Sequence, residues 1–357
     1  MTVNPGAYTL EEILSQPRCW TECLRALEQE DQLGQVHRRL PEASEWLFIG
    51  CGSSYYIAQA AAASWTIITG MRARAIPASD VLLYPRLVLS EPGGCRPVLI
   101  SRSGHTSEIL NAAEYLELKE NIRTLAISCA THQPLEQIST ATLYALPADE
   151  KSMVMTRSFS SMVLALQALA ARVGNQTGIR DALHQLSPAA QSALDALQPR
   201  IRDFAQEREF ADYVFLGQGP FYAVANESML KVKEMSCSYA QCFHTLEFRH
   251  GPKAIVSPET RVTFLLSETG YEDEREVLHE IKSLGGTTLV VANQADAEVG
   301  KAADLLVELQ LDVPEIARLG AYIMPAQLLG LFTGLRKGFD PDRPRNLSRV
   351  VILNDRE

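Results

Sequence analysis

Two short stretches hold the residue types that could do chemistry. The first is Ser101-Arg102-Ser103-Gly104-His105-Thr106, which follows the apolar run Val98-Leu99-Ile100 and leads straight into the helical spacing of Glu108-Ile109-Leu110. Cys51-Gly52-Ser53-Ser54 follows Trp46-Leu47-Phe48-Ile49 in the same manner. At such strand-to-helix turns the backbone N–H groups and the positive helix end point outward beside the hydroxyls, which suits the oxygens of a phosphate. Ser54, Ser103 and Thr106 could instead cap the helices they precede, the commoner use of a single hydroxyl at a helix start. The second stretch runs from residue 227 to residue 256. There Lys231 and Glu234 lie three apart on a predicted helix and share a face. His250, in Phe248-Arg249-His250-Gly251-Pro252, stands where the helical pattern has broken. A surface ion pair and a loop histidine are one account of these residues. A carboxylate base, a lysine and a titratable imidazole are also what proton transfer beside a carbonyl requires.

The elements that must position these groups read as alternating strands and helices. Further apolar runs are Thr124-Leu125-Ala126-Ile127, Leu143-Tyr144-Ala145-Leu146, Tyr213-Val214-Phe215-Leu216, Val262-Thr263-Phe264-Leu265-Leu266, Thr288-Leu289-Val290-Val291 and Leu305-Leu306-Val307-Glu308-Leu309. Continuous rather than alternating, and separated by helical patterns, they fit parallel strands covered on both faces. Residues 9 to 35 read as helix, with Thr9 as its cap and Glu12 completing a capping box.

The strands fall into two related sets. Phe48-Ile49-Gly50-Cys51-Gly52-Ser53-Ser54-Tyr55-Tyr56-Ile57-Ala58 lines up with the stretch from Phe215 to Ala225, sharing a Phe, two Gly, a Tyr and an Ala. The stretch 100–108 lines up with 266–274, pairing Ser101 with Ser267, Gly104 with Gly270 and Glu108 with Glu274. "TLAI" then follows the first as "TLVV" follows the second. The pattern is a duplication: two α/β halves, about 36–175 and 205–340, joined by a helical segment around 178–208. The expected division is an N-terminal helical segment 1–35, domains 36–175 and 176–340, and a tail 341–357. At the aligned turns of the second half, Ser53-Ser54 becomes Pro220-Phe221 and Arg102-Ser103 becomes Glu268-Thr269. Glu268 would repel an anion there, so phosphate binding is expected of the first half alone.

At 357 residues the chain is long enough for two cores, and 46% hydrophobic with 21% charged residues is ordinary for a globular protein. A net charge of −10 argues against nucleic acid or an anionic membrane as a partner. Seven scattered cysteines form neither a metal-ligand pattern nor a disulfide framework. The first residues have no basic region followed by an apolar core, and no run of about 18 to 20 consecutive apolar residues occurs. A cytoplasmic protein is expected. The histidines show no paired ligand spacing, and Gly50-Cys51-Gly52 has Tyr55 where a dinucleotide fingerprint needs its third glycine. Neither a metal nor another cofactor is expected.

The motifs Cys51–Ala58, Ser101–Glu108, Lys231-Val232-Lys233-Glu234, Phe248–Pro252 and the tail Asp340–Val351, in this order, resemble the sugar isomerase (SIS) domain proteins over nearly the whole chain. The resemblance implies two tandem SIS domains, each a flavodoxin-like three-layer αβα sandwich, the arrangement of the isomerase half of glucosamine-6-phosphate synthase. No nucleophilic cysteine follows Met1, the first being Cys19, so a complete amide-transferring synthase is not expected. Thr9–Trp20 and Thr245–Val256 are similar to stand-alone amino-sugar phosphate deaminases of the isomerase type.

The resemblance further implies that Ser54, Ser101, Ser103 and Thr106 bind phosphate, with Arg102 adding its backbone N–H. It makes Glu234 the base between C2 and C1, His250 the ring-opening residue, donated across an obligate homodimer, and Lys231 a helper. Thr156-Arg157-Ser158-Phe159 matches a loop closing over the sugar, and Ser53, Thr156 and Arg349 are the expected sugar contacts. Arg349 replaces a lysine able to form a Schiff base with a ketose, and arginine cannot act as that amine. The expected activity is conversion of glucosamine 6-phosphate to fructose 6-phosphate and ammonia. The alternatives are an aldose–ketose isomerase or deglycase on another 6-phosphosugar, and a non-catalytic phosphosugar sensor.

Overall fold

The computed structural model describes residues 4–40, 43–89 and 94–353. The chain forms two compact units, one from Met1–Pro17, Lys151–Thr156 and Gln185–Leu347, the other from Arg18–Glu150, Arg157–His184 and Ser348–Glu357.

The second of these holds a sheet of β1 (Glu45–Gly50), β2 (Arg72–Pro77), β3 (Cys95–Ile100), β4 (Leu125–Ser128) and β5 (Ala141–Tyr144). Their order is β2-β1-β3-β4-β5 and every pair is parallel. All six residues of β3 are buried, as a strand covered on both faces must be. Leu47, Ile49, Leu99 and Ala126 of the strands pack with Ile109, Ala112 and Leu116 from the chain after β3.

The other unit holds β6 (Asp212–Gly217), β7 (Ala240–Phe243), β8 (Thr260–Leu265), β9 (Thr287–Ala292) and β10 (Leu305–Glu308). This sheet runs β10-β9-β8-β6-β7, again parallel throughout. Read from its β7 edge it has the strand order of the first sheet, so the repeat in the sequence is a repeat of topology. The shared glycines explain themselves. A Cβ on Gly50 would lie 2.3 Å from the Ser54 backbone, and one on Gly217 would lie 2.5 Å from the Phe221 carbonyl oxygen. Gly52 and Gly219 then turn the chain at φ 56° and 54°, where other residues are strained.

The N-terminal helix departs from the expected capping box. The helix starts at Ala7, behind Gly6, and makes no side-chain cap; Thr9 lies inside it. Thr9 donates instead through its N–H and hydroxyl to Asp342 Oδ1, both at 2.7 Å. Glu12 likewise serves residues 151 and 152 rather than its own helix start. The segment 9–35 is also broken, into Ala7–Leu14, Gln16–Gln29 and Gln32–Arg39.

Glu315–Arg336 is long and apolar enough to cross a membrane by length and composition, and its most apolar 18-residue stretch is wholly buried as core. Its last part, the helix Met324–Arg336, packs against the helix Phe221–Ser236. Contact is close at Gly334, where a Cβ would stand 2.2 Å from the Met235 carbonyl oxygen. Gly334→Ala is therefore expected to cost about 1–3 kcal/mol through forced helix separation. Gly300→Ala, with nothing within 4 Å of its Cβ, should gain up to about 1 kcal/mol from helix propensity. Urea unfolding of the two variants checks the contrast, and equal midpoints would rule out the close-packing account.

Candidate active site

In an open parallel sheet, ligands bind beyond the carboxyl ends of the strands where the order of connections reverses. In the first sheet that point lies between β1 and β3, which run side by side with Ile49 opposite Leu99. Both serine turns leave from there. Ser53 and Ser54 open the helix Ser53–Thr69, whose cap position is Gly52, with no side-chain cap bond. Thr106 occupies the cap position of the helix Ser107–Glu114 and also makes no cap bond. Capping therefore does not account for these hydroxyls.

The 101–106 turn is held from within. Ser101 Oγ accepts from Gly104 N at 3.1 Å and lies 3.4 Å from Thr106 Oγ1. Ser103 Oγ accepts from His105 N at 3.2 Å. The Arg102 carbonyl accepts from Cys129 N and Ser128 Oγ, each at 3.0 Å. The Arg102 guanidinium turns inward to Glu150 Oε2 at 3.0 Å, both side chains buried. Only its main chain is thus offered to the turn. Burial, aided by the charge of Glu108, pushes the nearby Cys51 thiol up to about 12, so it is no nucleophile.

The tail lies against the start of the helix that follows. Val351 O accepts from Ser107 N at 3.2 Å, and Leu353 N donates to Ser107 Oγ at 3.0 Å. The Arg349 carbonyl is 3.4 Å from an Arg102 guanidinium nitrogen, while its own guanidinium pairs with Asp149 at 2.7 Å. Of the matched sugar loop, only Thr156 precedes regular structure; Arg157-Ser158-Phe159 form the first turn of the helix Arg157–Val173, a correction to the expected loop. Thr156 is buried, and its carbonyl accepts from Gln327 Nε2 at 3.2 Å.

The other unit holds the proton-transfer candidates. Lys231 and Glu234 share a face of the helix Phe221–Ser236 as their spacing requires, with Nζ to Glu234 Oε2 at 2.5 Å. Glu227, one turn earlier, lies 3.1 Å from the same ammonium. It was missed in the sequence, although its i,i+4 spacing to Lys231 was the available signal. The Lys231 side chain is 0% exposed and that of Glu234 is 18% exposed. Burial pushes the Lys231 ammonium toward its neutral form, but Glu227 and Glu234 outweigh it and the net shift is upward. Lys231 is a fixed cation. His250 stands elsewhere in this unit, at the end of the short helix Glu247–Arg249, and is exposed. Arg249 and Lys253 on either side of it both pair with Glu280, at 2.8 and 3.1 Å.

The second-half turn differs from what its sequence implied. Glu268 does not stand as a bare repelling charge, because it pairs with Arg318. The donors of this turn are met from within: the Glu315 carboxylate accepts from Glu268 N and, at 3.1 Å, from Thr269 Oγ1. The Glu274 carboxyl accepts from Ser267 N at 3.2 Å and Thr245 Oγ1 at 3.1 Å, and is bonded to Ser267 Oγ. Ser267 Oγ accepts from Gly270 N at 2.9 Å, as Ser101 does from Gly104.

Among the described residues, no cluster of three or more His, Cys, Asp or Glu is placed to hold a metal ion, and all seven cysteines are free.

The SIS domain family matches residues 40–172 and 212–329, and the chain belongs to it. Among solved structures, a glucosamine-6-phosphate deaminase from Thermotoga maritima is 30% identical, with a TM-score of 0.81 over 97% of this chain and 100% of that one. The tagatose-6-phosphate ketose/aldose isomerase of Escherichia coli shares the fold at 23% identity, with a TM-score of 0.83 over 99% of each chain. A glutamine–fructose-6-phosphate aminotransferase (isomerizing) of Xylella fastidiosa is 30% identical over 96% of this chain, which spans 58% of that relative.

Burial, opposed by its hydrogen bonds, raises Glu274 from 4.5 to about 7. Between these values the folded protein binds a proton that the unfolded chain has lost, so stability falls as pH rises from about 4.5 to about 7. At about 1.4 kcal/mol per pH unit, the loss has an upper bound of roughly 3.5 kcal/mol. Glu274→Gln should flatten that part of the stability curve, measured by denaturant unfolding at several pH values. An unchanged slope would refute the assignment.

Proposed function

We propose that the protein is an amino-sugar phosphate deaminase working through aldose–ketose isomerase chemistry, with glucosamine 6-phosphate as substrate. The observation that carries this reading is the row Glu227–Lys231–Glu234, in which a buried ammonium holds one carboxylate that retains solvent access. The likeness to the Thermotoga deaminase supports it over the full length of both chains.

In this reading the first half binds the phosphate through Ser54, Ser101, Ser103, Thr106 and the Arg102 N–H, where helix ends and hydroxyls favour an anion. Ser53, Thr156 and Arg349 contact the sugar. His250 assists ring opening to the free aldehyde. Glu234 takes the proton from C2, giving an enaminol as the carbonyl oxygen gains a proton. It then returns a proton to C1, leaving a C1 alcohol and a protonated C2 imine. Water adds to the imine and ammonia leaves, giving the ketose phosphate. Lys231, fixed as a cation, positions Glu234 and favours negative charge on the reacting oxygens. No step asks for a lysine nucleophile, in keeping with Arg349 at the tail. The active form is a homodimer in which His250 serves the partner's site.

Glu234→Gln should lower ammonia release from glucosamine 6-phosphate by ~10²- to 10⁴-fold with little change in substrate affinity. Ammonia release at the parent rate would overturn the role. Galactosamine 6-phosphate, assayed alongside, reads the preference at C4. Conversion of phosphosugars without ammonia would favour the plain isomerase. Thermal stabilisation by phosphosugar without any turnover would favour the sensor.

The dimer has its own check. Glu234→Gln and His250→Ala, each inactive alone, should recover about a quarter of parental activity when unfolded and refolded together, because half the dimers carry one intact site. No recovery would mean that His250 acts within its own chain.

A further inference from the structure

Thr9 and Glu12, on the helix Ala7–Leu14, and Gln16, which opens the next helix, are all buried, with Glu12 only 2% exposed. Polar residues in such places are costly unless their bonds are met, and apolar residues would usually hold a helix down at least as well. Their partners share a destination. Glu12 Oε1 accepts from Lys151 N at 2.6 Å and Ser152 N at 3.3 Å, and Oε2 accepts from the Ser152 hydroxyl. Asp342, bound by Thr9, accepts through its carbonyl from Met153 N at 3.3 Å. Gln16 Nε2 donates to Gln327 Oε1 at 2.8 Å, and Gln327 donates in turn to the Thr156 carbonyl. Residues 151, 152, 153 and 156 are thus held, directly or through one intermediary, from the first two helices of the chain. They have no helix or strand of their own.

We propose that Glu12 is a positioning residue for the substrate, fixing the segment Lys151–Thr156 so that Thr156 is pre-set for the sugar. This rests on the functional reading above, in which Thr156 is a sugar contact. A segment without regular structure must otherwise be ordered each time substrate binds, which weakens binding. A buried carboxylate accepting backbone N–H groups is a strong, directional tether. The phosphate ligands lie outside the segment, so the tether should affect the sugar and spare the phosphate.

Three measurements on the full chain test this. In Glu12→Ala, hydrogen exchange at the Lys151 and Ser152 amides should quicken at least tenfold. KM for glucosamine 6-phosphate should rise roughly tenfold, while the dissociation constant for inorganic phosphate stays within about twofold. Glu12→Gln, which keeps an acceptor oxygen, should fall between parent and Ala. Ser152→Ala, which removes one donor and leaves the carboxylate bonded to two N–H groups, gives a milder form should Glu12→Ala not fold. Unchanged amide exchange would overturn the tether. Quickened exchange with unchanged KM, or phosphate affinity falling in step with KM, would overturn the positioning role. Absence of turnover in the parent protein would sink the functional reading and the sugar role together, whereas amide exchange would still decide on the tether.

Discussion

An ammonium with no solvent contact persists only where negative charge meets it. Lys231 is in that position, and the geometry of its unit follows from it. Glu227 and Glu234 must flank it at one turn's spacing, so the helix Phe221–Ser236 has to keep regular register through all three. That helix must also be pressed close by Met324–Arg336, which Gly334 permits. Glu227 gives the ammonium a second counter-charge, so Glu234 can face solvent without being the lysine's sole support. Removing one partner of a buried pair strands the other, which ties stability and the proposed chemistry to the same three side chains.

The two halves show how one frame carries different contents. Strand order, the tight glycine, the positive-φ glycine and the serine accepting from a glycine N–H recur in both. What differs is charge. Arg102 turns inward to Glu150 in one half, while Glu268 at the aligned position pairs with Arg318 in the other, an ion pair of reversed polarity. Both halves thus carry an ion pair beside this turn, with opposite ends at the aligned position.

Much of this was legible because covered parallel strands are continuous apolar runs, and all eight runs read in the sequence overlap strands of the two sheets, although Leu143–Leu146 outruns β5 by its last two residues. β2 and β7 were not visible. They are edge strands, as β5 and β10 are, but the Arg72-Ala73-Arg74 start of β2 and Gln241 within Ala240–Phe243 interrupt any apolar run. Lys231 beside Glu234 was legible because helix spacing is local. Glu227 was within reach of the same rule. Glu150, Glu315 and Asp342 were not, because their partners lie 48, 47 and 333 residues away and nothing local marks them. Thr9 and Glu12 misled for the converse reason: a correct local pattern, the capping box, was outbid by distant donors and acceptors.

The second-half turn carries its own ligand in Glu315. A group tethered to its site acts at an effective concentration on the order of millimolar even through a flexible linker. Glu315 is fixed in a folded unit, so it stands as a resident competitor. A free phosphate would have to displace a carboxylate that never diffuses away, and also to meet Glu268 once its partner shifted. The second-half turn thus keeps its shape while its outward donors are met by a carboxylate that cannot leave.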